Sequence, residues 1–128
     1  MKLAAGTLTI SKDNKVLMIK SKKHVGKYHF AGGKAEKGES PEETAIRETL
    51  EETGIKCKIA SSNSFFVDKH KELKDYAFHC FVAIEDSGNL TSSDEGDPCW
   101  VDIKNVLNLP LAYPDWTKDA MNYFGIIK

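Results

Sequence analysis

Residues 32–55 read GGKAEKGESPEETAIRETLEETGI. Paired glycines open the stretch, a short polar loop follows, and then a helix start is written out in full. Ser40 is a good N-cap, and Glu43, three residues on, completes a capping box in which each side chain bonds the other residue's backbone N–H. Pro41 falls on the first helical position, where its missing N–H costs nothing. Gly54 is placed to end the helix in a left-handed cap. These signals predict a helix over Pro41–Thr53.

The two sides of that helix differ. Ala45, Ile46, Thr49, Leu50 and Thr53 recur at helical spacing and are expected to face a core. Glu48, Glu51 and Glu52 stand at i, i+3 and i+4 and gather three carboxylates on the other side. They sit in the last turns, where the macrodipole disfavours negative charge, whereas Glu42 and Glu43 are at the favourable end. One explanation is a solvated acidic face, with Arg47 pairing with Glu43 or Glu51 one turn away. The other is a bound divalent cation, which would offset both the mutual repulsion and the dipole. Hard oxygen ligands of this kind suit Mg²⁺ or Mn²⁺.

Spacing shifts the weight between them. Gly33, Glu39, Arg47, Glu48, Glu51, Glu52, Gly54 and Ile55 fall in the pattern G-x5-E-x7-R-E-x-x-E-E-x-G-I. This resembles the Nudix box of the Nudix hydrolases, with every fixed position present. Thr49 stands where a larger aliphatic residue is usual, and a small packing cost is expected there. The resemblance implies an α/β fold, the αβα sandwich with a mixed β-sheet between helices, as a single domain over residues 1–128. It implies Mg²⁺, with Mn²⁺ as a substitute. Glu52 and Glu48 would be inner metal ligands, Glu51 a further ligand, and the Gly32 carbonyl a candidate one. Arg47 would orient the glutamates, and Glu39 would serve a metal through water.

The implied reaction is hydrolysis of a pyrophosphate link in a nucleoside diphosphate derivative. Attacking water meets negatively charged oxygens there, so charge neutralisation and an activated water are needed, and metal ions supply both. In the family the general base is either a box glutamate or an acid on a later loop. Glu95, within Asp94-Glu95-Gly96-Asp97-Pro98, is the loop candidate, a solvated acid being the plain alternative. Lys34, directly after the glycines, is either a phosphate contact or a surface lysine.

The rest of the chain is ordinary for one domain. It has 128 residues, 41% apolar and 29% charged, enough for one proper core. A net charge of −1 gives no electrostatic reason to expect long nucleic acids or membranes as partners. Cys57, Cys80 and Cys99 are odd in number, far apart and in no metal-ligand spacing, which reads as reduced thiols. No signal peptide and no run of membrane-spanning length is visible, so a cytoplasmic setting is expected.

Strands are expected at Leu3–Ile10 and Val16–Lys20 as a hairpin, with Gly6 marking a bulge or a close backbone approach. The basic loop Ser21–Lys27 reads as solvated surface or as a phosphate-facing loop. Tyr28–Ala31 leads into the glycine turn. Lys56–Asp68 reads as one strand with a polar middle, Lys69–Asp75 as a charged turn, and Tyr76–Ile84 as the best strand of the chain. Glu85–Pro98 reads as an acidic loop, Trp100–Ile103 as a short strand, Lys104–Leu107 as a helical turn and Asp115–Phe124 as a closing helix, with Trp116, Ala120, Tyr123 and Phe124 at core spacing.

A second resemblance concerns the base. Pro98-Cys99-Trp100, followed by Tyr113-Pro114-Asp115, is similar to the C-terminal part of oxidised-purine triphosphatases. It implies that Tyr113 stacks on a purine, that Asp115 bonds its edge and that His29 also reads it. The plain alternative is that Tyr113 and Trp116 cap the core and Asp115 caps the last helix. A nucleotide-sugar or dinucleotide hydrolase, a non-catalytic nucleotide-binding module of the same fold, and an unrelated acidic protein stand as competing readings. A homodimer is compatible with the sequence and is not specified by it.

Overall fold

The structure, a computed structural model, describes residues 2–67 and 75–126. In chain order it holds β1 (Lys2–Ile10), β2 (Lys15–Ser21), β3 (Tyr28–His29), β4 (Ala31–Lys34), α1 (Pro41–Thr53), β5 (Ile55–Ile59), β6 (Phe65–Val67), β7 (Tyr76–Gly88), β8 (Gly96–Asp102), a 3₁₀ helix (Ile103–Asn108) and α2 (Pro114–Tyr123). The charged turn expected at 69–75 lies, apart from Asp75, outside the described residues.

The spine of the sheet is the parallel pair β1 and β7, in register from Lys2↔Tyr76 to Ile10↔Ile84. β5 and β6 lie antiparallel along the far side of β7. On its other side β1 meets β2 only at Ile10↔Val16, then β2 leaves to pair along its whole length with β8. β4 takes the place that β2 vacates, from Ala4↔Lys34 to Thr7↔Ala31. The sheet therefore forks, and the β3–β4 corner fills the fork.

Alternation along β1 sends neighbours to opposite faces. Ala4 and Leu8 join Phe78, Cys80, Val106, Ala120 and Met121 in the core under α2 and the 3₁₀ helix. Ala5 packs with Phe81 against Ala45 of α1. Helices thus cover both faces of a mixed sheet, the expected αβα arrangement. Gly6 is the close approach: a Cβ there would fall on the carbonyl of Ala31, across the β1–β4 pair.

α1 begins and ends where its signals place it. Ser40 Oγ accepts from Glu43 N at 3.2 Å and Glu43 Oε1 accepts from Ser40 N at 3.0 Å. Gly54 caps the end at φ 80°. The inward face is different from the periodicity reading. Leu50 is 47% exposed, while Glu52 is 5% exposed. The buried set is Thr44, Ala45, Thr49, Glu52 and Thr53. Burial of a carboxylate is allowed here because a backbone donor meets it, as described below.

Three boundaries also move. The expected strand at 56–68 is two strands, because the polar run 61–64 leaves the sheet and Asn63 N turns back onto Ser61 Oγ. The expected loop at 85–98 shrinks to 89–95. β7 runs on to Gly88 because β5 pairs with it there (Ile55↔Gly88), and β8 starts at Gly96 opposite Ser21. Cross-strand pairing overrides weak local propensity. In α2 the buried residues are Thr117, Ala120 and Met121, and Tyr123 is 55% exposed.

Candidate metal and substrate site

Glu52 sits at the fork. Its Oε1 accepts the backbone N–H of Gly32 at 3.0 Å. Burial pushes its pKa well above the usual carboxylate range, and neighbouring Glu48 adds to this, while the Gly32 N–H works against them. Glu48 stands beside it, with its carboxylate against the next residue of β4. A Cβ on Gly33 would come within 2.6 Å of the Glu48 carboxylate carbon, so glycine leaves the room that this side chain occupies.

Arg47 organises the outer part. Its Nε donates to Glu39 Oε2 at 2.7 Å and its Nη2 to Glu39 Oε1 at 2.9 Å, a two-point grip on one carboxylate. Nη1 donates to Glu48 Oε1 at 2.8 Å and reaches Glu51 Oε2 at 3.1 Å. Nη2 also donates to the carbonyl of Lys34 at 3.0 Å. The guanidinium therefore ties β4, the following loop and α1 together. It holds the pKa of Glu39 down at about 2, helped by the N–H of Glu36. Glu39 in return raises the pKa of Arg47.

These residues border a cavity of about 370 Å³. Glu48 and Glu52 line it beside Gly32, Gly33 and Lys34, and Glu95 joins them from the loop before β8. Lys22 N donates to the carbonyl of Glu95 at 3.0 Å, which anchors that loop to the end of β2. The charge of Glu95 is close enough to add to the upward shift of Glu52. Away from the carboxylates the wall is aromatic and basic: Phe30, Phe78, Trp116, Tyr113, His29 and His24. Trp116 packs on Phe30 and Phe78 with centroids 5.9 and 5.5 Å away. Tyr113 meets His24 edge-on, at 5.7 Å and 76°. His29 Nδ1 lies 2.8 Å from the carbonyl of Phe30, a group that only accepts, so Nδ1 carries a proton.

The structure thus brings Gly32, Lys34, Glu48, Glu52, Glu95, His29 and Tyr113 onto one wall. Glu51 is not on it: its side chain is 54% exposed and engaged by Arg47. Gly32 contributes its N–H, to Glu52. Asp115 is exposed in the first turn of α2, does not line the cavity, and makes no cap bond; the N-cap position is Tyr113. Lys23, His24 and Trp116 are wall residues that the sequence reading did not single out. For Lys23 and His24 the signal was the basic character of the loop at 21–27. Trp116 carried only helical spacing, which a core residue shares.

Glu48 and Glu52 fit a divalent cation by their chemistry. Arg47 reaches Glu48, but Glu52, raised by burial and then by Glu48, is met among the described residues by a backbone N–H and by no cation that would keep it ionised. Among the described residues no three His, Cys, Asp or Glu side chains converge as a complete ligand cluster. An ion held here would draw its further ligands from substrate oxygens and water, as Mg²⁺ sites commonly do.

A mixed sheet between helices, with a carboxylate pair on a helix edge facing a cavity of about 370 Å³, makes this an α/β protein with a candidate cation site. The sequence matches the NUDIX domain over residues 1–123, and the protein belongs to the Nudix hydrolase family, whose members generally use divalent metal ions and act on small nucleotides. It is 31% identical to an ADP-ribose pyrophosphatase of Methanocaldococcus jannaschii over 89% of this chain and 70% of that one. It is 38% identical to an oxidized purine nucleoside triphosphate hydrolase of Danio rerio, over 63% of this chain and only 53% of the relative. Its fold is shared with an Ap4A hydrolase of C. elegans, at a TM-score of 0.74 and 16% identity, over 97% of this chain and 99% of that one.

Proposed function

We propose that this chain is an Mg²⁺-dependent hydrolase of purine nucleoside triphosphates, giving the nucleoside monophosphate and pyrophosphate. The observation that carries this reading is that one cavity is lined both by aromatic groups, Tyr113, Phe30 and Trp116 with His29, and by the carboxylates Glu48, Glu52 and Glu95. A volume of about 370 Å³ is near the lower end for small-molecule sites and suits one nucleoside better than two.

In this reading Glu48 and Glu52 hold the ion, which when bound neutralises phosphate charge and lowers the pKa of water. Glu51 joins them only by leaving Arg47. Arg47 fixes the direction of Glu48 and ties the carbonyl of Lys34 to the same helix. Glu95, which lines the same cavity, is the general base that takes the proton of the attacking water. Lys34 and Lys23 meet phosphate oxygens. Tyr113 stacks on the base, and His29 reads its edge. Asp115 has no role here unless the start of α2 shifts, so an oxidised-base preference rests on His29 and the Danio rerio relative alone. The reduced thiols suit a cytoplasmic setting, and among the described residues no helix is long and apolar enough to cross a membrane.

A second reading, an ADP-ribose-type diphosphate, is favoured by the likeness that extends over 89% of the chain. One experiment separates them: initial rates on ordinary and oxidised purine triphosphates, ADP-ribose, a nucleotide sugar and a dinucleoside polyphosphate, each with Mg²⁺ and with chelator. The expected result is highest kcat/KM on a purine triphosphate and none in chelator. A higher value on ADP-ribose replaces the substrate assignment, and activity in chelator removes the metal role.

A further inference from the structure

His29 of β3 and Gly32, Gly33 and Lys34 of β4 line the cavity. His29 stands at the aromatic end, Gly32 bonds Glu52, Gly33 faces Glu48, and Lys34 comes last. These six positions span at most ~20 Å of extended chain. What lies past Lys34 has no place in the reading above. The Lys34 ammonium sits 5.3 Å from the ring centroid of Tyr76, and a second ammonium, that of Lys2, sits 5.8 Å from the same centroid. Strand pairing enforces this gathering: Lys2 is opposite Tyr76 on β7, and Lys34 is opposite Ala4, two residues along β1 from Lys2.

The face of an aromatic ring attracts a cation, so Tyr76 gives each lysine a resting place. Two cations at one ring also repel each other. Among the described residues neither lies within salt-bridge distance of a carboxylate. Lys34 is held from behind as well, since its carbonyl accepts from Arg47. Lys34 lines the cavity and Lys2 and Tyr76 lie beyond its lining, so the pair is a positive group at the edge of a site that also holds Glu48 and Glu52.

We propose that Lys2 and Lys34, gathered on Tyr76, form an anion subsite that takes the substrate phosphate farthest from the nucleoside. This rests on the triphosphate reading and deepens it. With the nucleoside at Tyr113 and the middle phosphates beside Glu48 and Glu52, the terminal phosphate would fall at Lys34 and, just past the cavity lining, at Lys2. The subsite selects for an anionic departing group over a neutral sugar. Tyr76 is a positioning residue in this scheme, acting through the two lysines.

The test is calorimetric binding of inorganic tripolyphosphate to the full chain with Mg²⁺, beside binding of a purine nucleoside monophosphate. Lys2→Met is expected to weaken tripolyphosphate roughly fivefold, the order of one charge at short range in water, and to leave the monophosphate unchanged. Tyr76→Leu should do the same, and Tyr76→Phe, which keeps the ring face, should restore wild-type binding. Lys104→Met, on the exposed 3₁₀ helix, is the control for overall charge and should change nothing. Wild-type tripolyphosphate binding in Lys2→Met, or an equal loss in Lys104→Met, overturns the subsite. Turnover is a separate matter: if no triphosphate is hydrolysed while the Lys2→Met loss persists, the substrate assignment fails and the anion subsite stands.

Discussion

Glu39 and Glu52 flank the same helix and are driven in opposite directions. Glu39 lies just ahead of α1, gripped at two points by Arg47 and bonded by the N–H of Glu36 and the hydroxyl of Thr44, and it is held ionised. Glu52 lies near the end of α1, buried, next to another carboxylate, with one backbone N–H for company. The first is a finished latch whose charge is balanced within the chain. The second is unfinished, because among the described residues no cation pairs with it. The contrast separates structure from function more sharply than burial alone, since both are box glutamates and both are well ordered by hydrogen bonds.

The largest effect should come from breaking the unfinished side. Glu52→Gln keeps the shape and keeps an oxygen for the Gly32 N–H, but removes a ligand charge. Turnover is expected to fall by orders of magnitude, as the loss of a metal's charge stabilisation implies. In chelator the variant should unfold at a higher temperature than the wild type, because a buried like-charge neighbour of Glu48 is gone. Near-normal turnover, or a variant less stable than wild type in chelator, would mean that Glu52 is as self-sufficient as Glu39.

Glu39→Gln probes the finished side through pH. The pKa of Glu39 in the folded chain, about 2, is below its ordinary value of 4.5. A depressed pKa contributes stability that is present above the ordinary value and is lost as pH falls towards the folded one. The wild type should therefore lose stability between pH 4.5 and 2 in part through Glu39, and the variant should show a shallower acid limb. Thermal melts at half-unit pH steps measure this. Parallel limbs in the two proteins would show that Arg47 does not hold the charge in the way the hydrogen bonds indicate.

This contrast was only partly legible in the sequence. The helix ends were, because caps are local chemistry: Ser40, Glu43, Pro41 and Gly54 fix them without help from the rest of the fold. The grouping of Gly33, Glu39, Arg47, Glu48 and Glu52 was legible as a spaced pattern. Which glutamate turns inward was not. Periodicity placed Leu50 in the core and Glu52 outside, since hydrophobicity alone cannot see a backbone donor twenty residues away at Gly32. The wall formed by Lys23, His24 and Trp116 was hidden for a similar reason. Their meeting depends on the isolated parallel bridge between Tyr28 and Leu111, which carries the chain before α2 to the fork, and no local signal announces such a bridge.

Thr49 gives the finest test of how the inward face of α1 is built. It occupies a place where a larger aliphatic is usual, and a packing cost was expected there. The structure shows a compensation instead. Thr49 Oγ1 donates to the carbonyl of Ala45 at 2.8 Å, so its oxygen accepts from Thr7 Oγ1, 2.8 Å away. Thr7 has then spent its proton and accepts from Thr9 at 2.7 Å. Thr7, Thr9 and Thr49 are all buried to 1% exposure or less, and the chain of hydroxyls joins β1 to α1 one turn before Glu52. Thr49→Val matches the shape and removes the acceptor on which Thr7 depends. Leaving a buried donor unpaired should cost about 1–3 kcal/mol in urea or thermal unfolding. Thr7→Val alone strands Thr9 in the same way. The double variant removes both ends of the broken bond, so its cost should be less than the sum of the two single costs, with a coupling of about 0.5–3 kcal/mol. Turnover should change little in all three, because Glu52 keeps its own bond to Gly32. Strict additivity, or a Thr49→Val that is as stable as wild type, would mean that these hydroxyls are neighbours only and that the inward face tolerates threonine by size alone.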